Sequence, residues 1–245
     1  MIMKDRTETV KTADGSMEVY IASPDGPGPF PVVIQIMDAL GKREELREHV
    51  RRVASWGYYV LAPDLFYRVG LEGPVDPSKP EGLAKLMPAM QSLTDERALS
   101  DIEATLKVAD ADKAARKGKI GLYGFCMGGK LALVLSQALG DRVAASASLH
   151  PGGLVTPKPE SPHNHIDKVK AELYFGIADK DQGASPEMIA EFEKSLKAKG
   201  VNYQLEWYPG AYHGWTMAHR ADIYNKDAHE KSFGRIQALF AKTLR

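Results

Sequence analysis

Lys119-Ile120-Gly121-Leu122-Tyr123-Gly124-Phe125-Cys126-Met127-Gly128-Gly129 is the stretch whose reading decides the fold. Its first five residues read as a short buried strand, and residues 130–139 carry apolar side chains at helical spacing. Between them, Gly124-Phe125-Cys126-Met127-Gly128 is a G-x-C-x-G turn that lifts one side chain clear of the backbone where strand passes into helix. The flanking glycines have a steric role. The central residue of such a turn sits in a strained conformation, and a side chain two positions away would strike the adjoining strand or helix. The residue so presented is the only cysteine in the chain.

Two plainer readings compete with a nucleophilic thiol. A lone cysteine is most often a small buried hydrophobe, but that default ignores the turn in which this one stands. Gly124 through Lys130 also fits the phosphate-loop pattern G-x-x-x-x-G-K, which needs Ser or Thr next to hold magnesium; here Leu131 follows. The next strand, residues 144–149, has no acidic residue for a magnesium site either.

Working outward, strands and helices alternate. Residues 8–12 and 17–22 flank Asp14-Gly15, a hairpin signal. Residues 31–37 and 58–62 are apolar runs suited to central parallel strands, and residues 44–56 between them read as a helix stopped by Gly57. Further strands are predicted over 171–176 and 203–208, and further helices over 186–199 and about 226–244. Residues 66–80 and 150–165 are broken by glycines and prolines and follow predicted strands. They read as loops at the carboxyl edge of the sheet, where ligand sites of α/β proteins form. The pattern predicts an α/β chain: a doubly wound, mostly parallel sheet with helices on both faces, in one domain over residues 1–245.

Length and composition fit one medium domain. The chain has 245 residues, enough for a sizeable core, and 32 Lys plus Arg balance 32 Asp plus Glu, so no net field draws it to nucleic acid or an anionic membrane. One cysteine allows no internal disulfide, and the N-terminal Met1-Ile2-Met3-Lys4-Asp5-Arg6 has no apolar run of signal-peptide length. No run is long enough to span a bilayer. A cytoplasmic monomer or homodimer is expected.

A nucleophilic thiol needs a base and a group to orient that base. Downstream of Cys126, Phe175-Gly176-Ile177-Ala178-Asp179 ends a predicted strand in an acid, and Tyr208-Pro209-Gly210-Ala211-Tyr212-His213-Gly214 sets a histidine in a glycine-framed loop. Asp181 competes with Asp179, which is preferred for its nearness to the strand end. His213 competes with His150, His163, His165, His219 and His229, and its loop and order favour it. His163-Asn164-His165 with His150 has no ligand spacing to a carboxylate or thiol, so no metal is expected. Strand, G-x-C-x-G and helix, followed by acid and then histidine, is the order of nucleophile, acid and base in α/β-hydrolases.

Gly-Phe-Cys-Met-Gly-Gly, the Ala-Asp after a later strand and Gly-Ala-Tyr-His-Gly-Trp together resemble the dienelactone hydrolase family, and Asp38-Ala39-Leu40-Gly41 and Pro63-Asp64-Leu65-Phe66 fit the same pattern. The likeness runs from about residue 19 to the C-terminal helix. It implies an α/β-hydrolase fold, hydrolysis of a small-molecule ester or lactone through a Cys126-Asp179-His213 triad, and no cofactor. The oxyanion would meet the N–H groups of Met127 and Ala39. Two departures accompany it. The family's thiol-modulating glutamate appears here as Asp38, one methylene shorter. Of the family's two carboxylate-gripping arginines, one position holds Met217, and residues 69–96 contain no arginine, only Lys79 and Lys85; Arg220 is close in sequence but displaced. Phe66, Tyr67, Lys85, His150, Trp215 and Arg220 are expected to line the substrate pocket, with Tyr212 as a further aromatic candidate. A carboxylesterase or thioesterase would share the triad, and a non-catalytic protein of this fold would misplace one of its members.

Overall fold

The computed structural model describes residues 2–245; Met1, the first residue of the N-terminal stretch read above, lies outside them. No helix among the described residues is long and apolar enough to cross a membrane. The chain packs as two compact units, one ending at Gly118 and the other running from Lys119 to Arg245.

The first unit opens with a hairpin of β1 (Met3–Thr12) and β2 (Gly15–Pro24), registered from Met3 opposite Pro24 to Thr12 opposite Gly15. Gly15 has φ +144°, a backbone that side chains rarely adopt, which is why Asp14-Gly15 marks the turn. Strand β2 alternates only at its start, with Met17 buried and Glu18 exposed; from Val19 onward both faces are buried. It pairs antiparallel with β4 (Tyr59–Pro63), which pairs parallel with β3 (Phe30–Ile36). Helix α1 (Glu44–Ala54) turns Leu46, Val50 and Val53 inward. Its acidic first turn and basic last turn both complement the helix dipole.

Two helices in this unit have no counterpart in the pattern reading: α2 (Pro80–Ser92) and α3 (Asp95–Ala111). Helix α2 has Pro88 in its interior and leaves Leu83, Met87 and Met90 partly exposed, so hydrophobicity marks no inward face. Helix α3 is capped by Thr94, whose Oγ1 accepts from Arg97 N–H at 3.2 Å. Its buried face includes Asp101 and Thr105 beside Ile102 and Ala98, which breaks the apolar periodicity. Asp101 is tolerated inside because Arg68 grips it with two bonds, 2.8 and 2.9 Å.

In the second unit β5 (Ala115–Phe125, starting just ahead of the boundary), β6 (Val143–Leu149), β7 (Glu172–Lys180) and β8 (Tyr203–Tyr212) lie side by side in chain order, all parallel. The connections are α4 (Met127–Leu139), α5 (Pro186–Ala198, capped by Ser185) and a short 3-10 turn at Pro162–Lys168. The C-terminal helix α6 (Lys226–Thr243) follows β8. Helices α4 and α6 pack on β6, and the strand residues Ile120, Leu122, Ala145, Ala147, Leu173 and Phe175 are buried, as central parallel strands require.

Candidate active site

The elbow forms as its glycines demand. Strand β5 ends at Phe125, and Cys126 stands at φ +54°, ψ −118°, half-buried at the head of α4. A conformation of this kind costs a non-glycine residue about 1–3 kcal/mol and persists only where its surroundings hold it. The hold is visible. Cys126 N–H donates to Leu149 O at 3.0 Å, and Cys126 O accepts from Gly129 N–H at 3.0 Å and Lys130 N–H at 3.3 Å. A Cβ at Gly124 would lie 2.1 Å from Gly128 O, so only glycine fits there. Met127 N–H is the first amide of α4, and a helix offers no acceptor of its own to that group.

The acid facing the histidine is Asp181, which corrects the preference for Asp179. His213 Nδ1 and Asp181 Oδ2 are 2.6 Å apart, and the Asp181 side chain is almost wholly buried. Its second oxygen, Oδ1, accepts from Gly183 N–H at 2.8 Å, which fixes the carboxylate plane. Asp179 is exposed and takes Gly210 N–H at 2.9 Å instead. The cause is a strand irregularity. Strand β7 runs on to Lys180, and Ala178 and Lys180 pair with Tyr208 and Tyr212, so two residues of β7 span four of β8. The surplus of β8 bulges around Gly210 (φ +73°), and Asp179 satisfies the bulge while Asp181, the first residue past the strand, meets the histidine.

His213 also bonds Cys126. Burial alone would push its imidazole pKa down. The bonds to Asp181 and Cys126, with their electrostatic pull, outweigh burial and carry it up to about 10. Raised above its unfolded value of about 6.5, His213 contributes stability that is complete below about pH 6.5 and lost as pH climbs through about 10. A titration of the His213 ring by NMR is expected to give a midpoint well above 6.5, falling back toward it in Asp181→Asn; a midpoint near 6.5 in the parent protein would contradict this coupling.

The residues expected to line the pocket are distributed otherwise. Phe66, His150 and Trp215 are all 0% exposed and present no surface in this structure. Trp215 stacks on Tyr208 with centroids 4.7 Å apart. Tyr67 is drawn into a polar network with Thr12, Asp101 and Arg68. Lys85 stands exposed on α2, Tyr212 lies partly exposed under Lys180, and Arg220 is bound through two bonds to Asp222. Met217, where the family resemblance puts an arginine, is buried against the Gly214 turn. His163, set aside as a ligand, shares a hydrogen bond with Ser161 at 2.7 Å.

In the first unit, Ala39 is buried in the turn after β3, and the amide beyond it, Leu40 N–H, donates to Asp38 Oδ1 at 2.9 Å. Asp38, expected to modulate the thiol, gives both carboxylate oxygens to Arg43, at 2.8 and 2.7 Å. Arg43 had no part in the sequence reading; an Arg five residues after an Asp carries no signal of a buried pair. Both side chains are nearly inaccessible, and leaving one charge of a buried pair wholly unpaired costs about 3–5 kcal/mol; Arg43 also bonds Glu45 at 2.9 Å, which lowers that cost here. Asp38→Asn is therefore expected to lower the unfolding free energy by about 1–3 kcal/mol, below the full cost of a stranded charge, read as a drop in the urea midpoint. An unchanged midpoint would show that Glu45 alone satisfies Arg43.

The chain is similar to known proteins over nearly its whole length. The model of the dienelactone hydrolase family matches residues 17–244. A Synechocystis sp. protein named "putative carboxymethylenebutenolidase" is 29% identical over 250 residues, covering all of both chains. The crystal structure of a dienelactone hydrolase-like promiscuous phosphotriesterase from metagenomic libraries superposes with a TM-score of 0.85 at 19% identity, over the full length of both chains. The fold is that of the α/β-hydrolases, with eight mostly parallel strands among the described residues and helices between them.

Proposed function

Because the chain belongs to the dienelactone hydrolase family and is a hydrolase of that kind, we propose that it cleaves a carboxylic ester or lactone through a Cys126-His213-Asp181 triad and a thioester acyl-enzyme. The observation that carries this reading is the continuous chain of bonds from Asp181 through His213 to Cys126. Asp181 accepts from Nδ1, so the other ring nitrogen is left for sulfur. His213, its pKa raised to about 10, holds the proton that the thiol gives up, and sulfur attacks the carbonyl carbon, forming a C–S bond as the oxygen gains charge. Met127 N–H at the α4 N-terminus stabilises that oxyanion. The C–O bond then breaks and the leaving oxygen collects the proton from His213. Water, deprotonated by His213, adds to the thioester; the C–S bond breaks and the acid departs.

The substrate side differs from the resemblance. Arg220 is taken by Asp222 and Met217 is apolar, so the histidine loop offers no guanidinium to a substrate carboxylate. This favours neutral acyl esters or lactones over dienelactone, which carries a carboxylate. The chain is taken as one hydrolase domain over residues 1–245, supported by the family match across both units. The test is rapid quenching during turnover of a nitrophenyl ester and a lactone series, with peptide mapping by mass spectrometry. An acyl adduct on Cys126 is expected; turnover with no adduct, or an adduct elsewhere, would overturn the mechanism.

A further inference from the structure

Among the described residues only two non-glycines have positive φ: Cys126, at +54°, and His150, at +39°. The first has its reason in the elbow. The second is an imidazole with no exposed surface, placed directly after β6. Backbone strain at a non-glycine residue persists where the surroundings over-determine it, and it gathers at functional sites. The contacts of His150 reach all three segments that carry the triad. Its backbone N–H donates to Gly176 O at 2.8 Å, on the strand that leads to Asp181. Its ring lies 6.2 Å from that of Phe125, the residue before Cys126. Nε2 shares a hydrogen bond of 2.9 Å with Thr216 Oγ1, three residues after His213.

His150 also meets His213 itself. The two rings approach edge to face, centroids 5.2 Å apart and planes at 66°. Trp215 also packs against the His150 ring, centroids 4.8 Å apart and planes at 77°. His213 is bonded to Asp181 and to Cys126, and a ring held through its two nitrogens can still rotate about the axis that joins them. A packed neighbour on its face removes that freedom. From this juxtaposition we propose that His150 is a positioning residue, an anchored imidazole that keeps the His213 ring aligned between Asp181 and Cys126. The proposal rests on the triad reading above.

Asparagine tolerates positive φ better than most residues and keeps a polar side chain, so His150→Asn removes the ring with little change of backbone. Misalignment of a reacting group by about 1 Å costs about a hundred-fold. His150→Asn is expected to lower kcat about ten- to a hundred-fold, per Cys126 titrated with iodoacetamide, with KM within about twofold. The NMR signal of the His213 Nδ1 proton should broaden or vanish as the ring gains motion. Should the asparagine variant fail to fold, Thr216→Val decides: it removes only the Nε2 anchor and is expected to lower kcat in the same direction by a smaller factor. Parent-like kcat and an intact Nδ1 signal, in whichever variant folds, would overturn the positioning role. Full activity in Cys126→Ala would strike the triad instead, and is measured beside it.

Discussion

Cys126→Ala is expected to lower kcat/KM for a short-chain nitrophenyl ester by about 10⁴- to 10⁶-fold, the range seen when a hydrolase loses its nucleophile. The size follows from how little else in the site could replace sulfur. The elbow presents a single side chain, and alanine at φ +54° gives the acyl group nothing to bond. His213 and Met127 N–H would remain, and an oxyanion donor with a positioned base still accelerates water attack by about 10³–10⁴ over solution. The variant should therefore be slow rather than inert, with no acyl adduct and no sensitivity to iodoacetamide. Loss of one methyl-sized polar atom from a half-buried position should leave the melting curve near that of the parent. Undiminished turnover would mean that the reaction does not pass through Cys126.

Much of the molecule was legible where a residue type has only one use. Gly124 admits no Cβ, so the elbow and the strand and helix on either side of it followed from the letters. Asp14-Gly15, with Gly15 at φ +144°, likewise announced the hairpin, and the apolar runs of β3 and β4 their burial. What stayed hidden depends on pairings distant in sequence. Helix α3 buries Asp101, which reads as a surface residue until Arg68 appears beside it. Asp38 was set against the thiol by the family resemblance alone, and nothing in the string marks Arg43 as its partner. Buried aromatics such as Phe66 and Trp215 look the same in sequence whether they face a ligand or a core. The choice between Asp179 and Asp181 failed for a still more local reason. It assumed that β7 stops near Gly176, whereas the strand continues to Lys180 and its partner bulges.

That bulge supplies the second large prediction, a contrast between two aspartates two residues apart. Asp181→Asn keeps the shape of the side chain but removes the charge that holds His213 protonated at Nδ1, and asparagine can present its NH₂ where an acceptor is needed. The imidazole then settles in the wrong tautomer or loses its orientation, and kcat is expected to fall about 10²- to 10⁴-fold. Asp179→Asn should behave differently. Its carboxylate meets only the amide of Gly210 at an exposed position, and an asparagine oxygen can accept the same hydrogen bond. Activity within about threefold of the parent is expected, because net hydrogen bonds of this kind are worth about 1 kcal/mol and none leads to His213. The measurement is kcat/KM for both variants on one ester, with the His213 titration as a second readout. In Asp181→Asn the midpoint should drop from about 10, while in Asp179→Asn it should stay. The reverse ranking would return the acid role to Asp179 and imply that the working enzyme re-forms the β7–β8 register around its substrate.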